Sequence, residues 1–189
     1  MDTDEMIRTF AVMKIFLIGY MGVGKTTIGK RLAKRMNLPF RDLDAVITVE
    51  EDRSVQEIFD EQGEAGFRGL ERKYLHELVK EEEHFVLATG GGTPCFYDNQ
   101  LFMNANGLTV YLEMDILSLT HRLIHSKDHR PLVAGKTDQQ LKEFVKSHLE
   151  SRKEYYNDSE LIFPSLGFNS HKLDRLVALI GSRNKDQTR

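Results

Sequence analysis

The chain has 189 residues, of which 40% are hydrophobic and 29% are charged, and this composition predicts a single domain with a substantial core. A formal net charge of −3 argues against binding to nucleic acid or an anionic membrane through bulk charge. The single cysteine, Cys95, excludes an internal disulfide framework and fits a cytoplasmic location, and no stretch of sequence is apolar for long enough to span a membrane.

Residues 1–12 precede the first predicted strand and are expected to form a disordered extension. Their acidic residues Asp2, Asp4 and Glu5 stand where a signal peptide would carry positive charge, which argues against one. The predicted domain covers residues 13–182, and the polar residues 183–189 are predicted to form a frayed tail.

The first chemical motif follows a short apolar strand at 14–18. Residues 19–26 have the spacing G-x-x-x-x-G-K-T of a phosphate-binding loop, and a helix with apolar residues at helical spacing comes after it. A glycine-rich turn with an incidental Lys-Thr pair is the alternative, and the strand–loop–helix context argues against it. The residues predicted to bind ATP here are Gly22, Val23, Gly24, Lys25, Thr26 and Thr27.

A second short strand is predicted at 39–44, and it carries Asp42 and Asp44. Side chains repeat with period two along a strand, so these two carboxylates are expected to share one face. Near a nucleotide, one could hold Mg²⁺ through its water shell and the other could accept a proton. An Asp-rich turn with a helix cap is the alternative, and the upstream phosphate loop favours the catalytic interpretation.

Two helices are predicted next, at 46–61 and 64–83, with Gly63 between them. Arg68 and Glu71 are three residues apart on the second helix and therefore share a face. An arginine held by a carboxylate presents a fixed fork that suits a substrate carboxylate. On spacing alone, a solvent-exposed ion pair is the favoured interpretation.

A buried strand at 84–89 ends in Gly90-Gly91-Gly92. Three consecutive glycines are costly in backbone entropy, which indicates that something approaches the backbone closely. Their N–H groups could bind substrate oxygens. A loop that needs unusual dihedral angles only for packing is the alternative.

The remaining predicted elements are a helix at 97–104, a strand at 108–112, a helix at 116–124 capped by Asp115, a helix at 138–156, a strand at 161–163 and a helix at 173–180. The basic segment at about 125–138, which contains Arg130, is predicted to be a lid that neutralises transferring phosphate; a solvated surface loop is the alternative. Arg152 alone would be taken as a surface arginine. No histidine or cysteine cluster has metal-ligand spacing.

Strands that alternate with helices predict a parallel sheet covered on both faces. Ligands of such sheets bind beyond the carboxyl ends of the strands. The phosphate loop, the Asp42/Asp44 pair and the triple glycine all follow strands, so we expect them to converge on one crevice.

Taken together, these motifs resemble the shikimate kinase family from Met13 to about Ile180. The Asp-x-Asp, Phe-Arg-x-x-Glu and triple-glycine set is more specific than the phosphate loop, and Arg130-Pro131-Leu132 and Arg152 follow in the family's order. The resemblance implies a three-layer α/β/α P-loop kinase fold with a five-stranded parallel sheet, a substrate-binding helical region and a lid. It also implies transfer of the γ-phosphoryl of ATP to the 3-hydroxyl of shikimate, a step of aromatic amino-acid biosynthesis. We expect the chain to act as a monomer.

The resemblance also assigns roles to residues. Lys25 would hold the β- and γ-phosphates, Thr26 would ligate Mg²⁺, and Asp42 would act on the metal through water. Asp44 would bind ring hydroxyls and serve as the base. For the acceptor and the lid, the implied residues are Arg68 and Arg152 on the carboxylate, Glu71 orienting Arg68, Gly91 and Gly92 donating N–H groups, Phe59 and Phe67 as apolar walls, and Arg130 on the transferring phosphate.

Two alternatives remain open at this stage. A gluconate-type or other small-molecule kinase on the same fold would keep the phosphate loop but should lack Asp44, Arg68 and Arg152 as a set. A nucleotide-binding regulator without catalysis would need neither a base nor a lid arginine. The adenine contacts match the family weakly, with Arg122 as the nearest candidate for an arginine close to the adenine.

Overall fold

The computed structural model describes residues 13–125 and 135–187, with side chains described to residue 183. A five-stranded parallel sheet in the order β2-β3-β1-β4-β5 lies at its centre, as predicted. Its strands are β1 (Met13–Ile18), β2 (Phe40–Asp42), β3 (His84–Ala88), β4 (Leu108–Glu113) and β5 (Leu161–Pro164).

Helices connect and flank these strands. They are α1 (Lys25–Met36), α2 (Leu43–Glu50), α3 (Val55–Glu81), α4 (Asn99–Asn106), α5 (Ile116–Ile124), α6 (Asp138–Glu150), α7 (Lys153–Asn157) and α8 (Ser170–Gln187). A short 3-10 helix, Thr93–Cys95, follows the triple glycine. No helix in the described ranges is long and apolar enough to cross a membrane.

The core is centred on β1, which pairs with a strand on either side. Ile15, Phe16, Leu17 and Ile18 have no exposed surface, because helices cover the sheet on both sides. A strand buried on both faces has a continuous apolar sequence, which is why β1 could be predicted from the sequence.

The prediction that Asp42 and Asp44 share a strand face was wrong. Strand β2 ends at Asp42, whose Oδ1 accepts a hydrogen bond from the Ala45 backbone N–H at 3.4 Å and so caps α2. Asp44 therefore lies in the first turn of α2. The two carboxylates come close to the site by helix capping rather than by strand alternation.

The predicted single helix at 46–61 was also wrong, because α2 ends at Glu50 and α3 begins at Val55. Ser54 caps α3 with a capping box formed with Glu57, so this helix begins afresh and runs through Gly63 with a kink at φ 67°, ψ −175°. The predicted helix at 138–156 is likewise divided, into α6 and α7.

Helix α8 continues to Gln187, beyond the Ile180 end that was predicted, so it includes most of the tail that was expected to fray. Asp115 caps α5 as predicted, since its carboxylate accepts from the Ser118 N–H at 2.9 Å. The extension at 1–12 and most of the predicted lid, including Lys127 and Arg130, lie outside the described residues.

Candidate active site

The phosphate loop joins β1 to α1 at the carboxyl edge of the sheet. Gly19, Gly22 and Gly24 have φ angles of 138°, 82° and 100°, which favour glycine and curl the backbone around the helix start. At Gly19 a Cβ atom would also lie 2.8 Å from the Leu112 carbonyl oxygen. The helix begins at Lys25 directly after Gly24, so its positive end faces the loop.

A cavity of about 370 Å³ opens above this loop. In this structure the buried Lys25 ammonium donates to the carbonyl oxygens of Gly19 at 2.6 Å and Tyr20 at 3.1 Å. Arg122 enters from α5 and donates to the Val23 carbonyl at 3.1 Å. Arg122 therefore lies beside the phosphate loop and lines the cavity with a second positive charge.

Thr26 and Asp42 meet at one wall of this cavity. The Thr26 hydroxyl donates to Asp42 Oδ2 at 2.7 Å, although the two residues are 16 positions apart. Two hard oxygen ligands side by side next to a phosphate cradle fit Mg²⁺. The described residues hold no group of three or more His, Cys, Asp or Glu side chains that could cage a metal. Such a pair therefore fits an ion held mainly by nucleotide and water.

A second, smaller cavity of about 120 Å³ lies next to the first. Phe59 and Phe67 form one apolar wall, with ring centroids 4.8 Å apart. Two arginines, Arg68 and Arg152, bring positive charge to the same small space. Both cavities are lined by Met21, Asp44, Gly90 and Gly91.

Arg68 and Glu71 form a buried pair, so the solvent-exposed ion pair favoured by spacing was wrong. Arg68 is 4% exposed and Glu71 has no exposed surface, and Arg68 Nη1 donates to Glu71 Oε2 at 2.6 Å. Glu64 holds the other end of the guanidinium, at 2.7 Å from Nη2. Burial acts to lower the pKa of Arg68, but the charges and hydrogen bonds of Glu71 and Glu64 outweigh it and raise that pKa.

The triple glycine makes room for this pair. A Cβ at Gly90 would lie 2.2 Å from Glu71 Oε1, and a Cβ at Gly92 would lie 2.5 Å from Arg68 Cζ. None of the three glycines has a positive φ, so the alternative that they serve unusual dihedral angles was wrong. The prediction of close approach is confirmed, and what approaches is a pair of side chains.

Arg152 lies at the junction of α6 and α7, and the surface position that its sequence suggested was wrong. It is 5% exposed, and its Nη1 atom has no hydrogen-bond partner among the described residues. Nη1 would lie 3.7 Å from a Cβ placed on Gly91. Tyr156 supports this region, because its buried hydroxyl donates to the Gly91 carbonyl at 2.6 Å. A buried guanidinium nitrogen without an acceptor calls for an anionic ligand.

Sequence reasoning missed several supporting residues. Thr93 donates its hydroxyl to Glu71 Oε1, and Tyr156 binds Gly91 across 65 positions. Tyr20 of the phosphate loop contacts His148 of α6 across 128 positions. No local pattern marks such pairs, because each depends on how distant elements pack. The sequence motifs therefore identify the residues that line the cavities better than the residues that hold them in place.

A comparison with known proteins identifies the family. The family described as Shikimate kinase matches residues 21–173. The chain belongs to the shikimate kinase family. A shikimate kinase from Bacteroides thetaiotaomicron is 49% identical over 152 residues, which cover 80% of this chain and 86% of that protein.

Solved shikimate kinase structures agree with the fold. The crystal structure of the Bacteroides thetaiotaomicron shikimate kinase has a TM-score of 0.84 at 45% identity and covers 89% of this chain and 98% of its own. A shikimate kinase from Acinetobacter baumannii in complex with shikimate has a TM-score of 0.83 at 28% identity, with 94% and 98% covered. The predicted P-loop kinase fold is thereby confirmed, and the chain is a kinase of this family.

Proposed function

We propose that this chain transfers the γ-phosphoryl of ATP to the 3-hydroxyl of shikimate. The single observation that carries the proposal is the position of Asp44, which lines both the cavity above the phosphate loop and the cavity that holds Arg68 and Arg152. A carboxylate common to a donor cavity and an acceptor cavity stands where a hydroxyl would meet a phosphoryl group.

The acceptor cavity suits a small carboxylated, polyhydroxylated ring. Arg68, oriented by Glu71, and Arg152 would hold the carboxylate, since both guanidinium groups are buried and carry charge. Phe59 and Phe67 would pack against the ring carbons. The backbone N–H groups of Gly91 and Gly92 would bind ring oxygens.

The donor cavity suits the phosphates of ATP. The N–H groups of Gly22, Val23 and Gly24 and the start of α1 would cradle them, with Thr26 and Thr27 in the first turn. Lys25 would leave its loop carbonyls to reach the β- and γ-phosphates. Arg130 stays a proposal from sequence for the transferring phosphate, and Arg122, which already lines the cavity, is a second candidate.

Thr26 and Asp42 would hold Mg²⁺, the hydroxyl directly and the carboxylate through water, as their 2.7 Å contact allows. Bound Mg²⁺ would neutralise charge on the phosphate oxygens. Asp44 would accept the proton of the acceptor hydroxyl as its oxygen bonds to the γ-phosphorus and the bond to the β-phosphate oxygen breaks. ADP leaves with that electron pair, and the proton stays on Asp44 until water removes it.

Two further proposals concern the oligomeric state and the location of the protein. We propose that the chain acts as a monomer, since the described lining residues of both cavities all come from one chain. Light scattering of the purified protein at micromolar concentration would test this. We propose a cytoplasmic location, where ATP and a reduced Cys95 would be found.

A coupled assay of ADP release tests the activity. We expect turnover with shikimate and MgATP, and little turnover when gluconate or a nucleoside monophosphate replaces shikimate. Turnover with gluconate and none with shikimate would favour the gluconate-type alternative. Tight ATP binding without phosphorylated product from any acceptor would favour the non-catalytic regulator.

A further inference from the structure

Tyr20 is a residue of the phosphate loop that is not among the lining residues of either cavity. It stands between Gly19 and Met21 and is 1% exposed. Its main chain shapes the loop, because its carbonyl accepts from the Val23 N–H at 3.2 Å and from Lys25 at 3.1 Å. Its ring instead extends toward α6.

The partner of Tyr20 is His148. The Tyr20 hydroxyl and His148 Nδ1 lie 3.0 Å apart, and the two rings meet edge to face with centroids 5.6 Å apart. Burial, followed by the charge of Arg152, lowers the pKa of His148 to about 4, while burial raises the pKa of Tyr20 to about 12. Near pH 7 the hydroxyl therefore keeps its proton, and Nδ1 of the neutral imidazole can accept a hydrogen bond from it.

His148 lies one helical turn before Arg152. The Arg152 backbone N–H donates to the Leu149 carbonyl. Arg152, which lines the acceptor cavity, is therefore hydrogen-bonded to the last turn of α6. On the other side, Met21 follows Tyr20 and lines both cavities. The Tyr20–His148 contact thus joins the loop that holds the donor to the helix end that holds an acceptor arginine.

We propose that Tyr20 and His148 are a positioning pair, which fixes the distance between the phosphate loop and the Arg152 end of α6 and so aligns the γ-phosphoryl with the acceptor hydroxyl. The proposal rests on the proposed function, since it presumes that Arg152 holds the acceptor. Phe144 supports the pair from the same helix, with its ring centroid 4.8 Å from that of His148. Small misplacements between reacting groups cost large factors in rate.

The test is Tyr20→Phe, which keeps the ring and removes the hydroxyl. We expect the single-turnover rate of phosphoryl transfer to fall about five- to tenfold, the range of one lost hydrogen bond, with KM for shikimate and the Kd of ATP within about twofold. Tyr155→Phe is the matched control, because Tyr155 is 39% exposed and close in sequence to Arg152. It should keep the wild-type rate.

A rescue separates positioning from stability. His148→Asn keeps an acceptor at the same branch of the side chain, whereas His148→Leu removes it. We expect His148→Asn to retain most of the rate and His148→Leu to match Tyr20→Phe, with no further loss when the two are combined.

Equal rates for Tyr20→Phe and Tyr155→Phe would overturn the proposal. So would a Tyr20→Phe protein that has a lower melting temperature but a normal rate at 15 °C, because that result assigns the contact to stability alone. A wild-type protein without activity on shikimate would instead refute the proposed function.

Discussion

Positions 90 and 92 require glycine because side chains pack directly against their backbone. Their backbone has no positive φ, and the space that a Cβ would need is occupied by Glu71 and Arg68. Because the ion pair is buried, its members cannot swing aside toward solvent. The glycines and the pair therefore form one structural unit, although they lie on different elements.

Gly92→Ala tests this unit. The new methyl group would lie 2.5 Å from the Arg68 guanidinium and displace it, so we expect KM for shikimate to rise about tenfold, or about 1.4 kcal/mol. Equilibrium binding should show a nearly unchanged Kd for ATP. Gly69→Ala is the control, since no atom lies within 4 Å of its Cβ position. An unchanged KM in Gly92→Ala would mean that Arg68 does not hold the substrate.

Asp44→Asn tests the proposed base. An amide cannot accept the hydroxyl proton, so we expect kcat to fall by about 10²- to 10⁴-fold. Because asparagine is isosteric with aspartate, ATP affinity measured by calorimetry should stay close to that of the wild type. A variant with a normal kcat would remove Asp44 from the chemistry.

Helix α3 carries a kink that matters for the acceptor cavity. Gly63 has φ 67° and ψ −175°, a region that is essentially open to glycine alone. The kink lets the segment before it turn so that Phe59 reaches Phe67 and both face the cavity. The sequence marked Gly63 as a break, but the direction in which the helix turns depends on packing.

Gly63→Ala should therefore destabilise the protein by about 1–3 kcal/mol, because a side chain is strained at these dihedral angles. Urea unfolding followed by circular dichroism would measure the change. Gly69→Ala, on the same helix, should be neutral or stabilising by up to about 1 kcal/mol. Similar behaviour of the two variants would show that the kink is not held by glycine.

The elements were predictable where the signal is local. The apolar run of β1, the spacing of the phosphate loop and the cap at Asp115 each lie within a few residues, so the sequence alone marks them. Asp44 was placed on the wrong element because Asp42 both ends a strand and caps a helix. The burial of Arg68 and Arg152 could not be predicted, because it depends on residues that only folding brings together.

At the scale of the whole molecule, His148 links stability to pH. The pKa of His148 in the folded protein, about 4, lies below its ordinary value of 6.5, so between these values the unfolded chain binds the proton more readily. The neutral form of His148 therefore contributes its full stabilisation of the fold above pH 6.5, and this contribution is lost as the pH falls toward 4. Burial is the main cause of the lowered pKa, Arg152 and Arg68 also disfavour a charged imidazole, and Glu64 partly offsets them.

Thermal unfolding at a series of pH values would measure this. We expect the melting temperature of the wild type to fall more between pH 7 and pH 5 than that of His148→Asn, because only the wild type has the imidazole to protonate. Other titrating groups act in both proteins and cancel in the difference. Parallel curves for the two proteins would contradict a half-buried, neutral His148.

Asp44 lines both cavities, and this shared wall has a consequence for ligand design. Among the described residues, the two cavities adjoin at this side chain, so one molecule that passes it could occupy both spaces at once. A tether that joins an adenosine polyphosphate to a carboxylated ring would present its second end at a high effective concentration once the first is bound. Its affinity would then exceed that of either half by orders of magnitude.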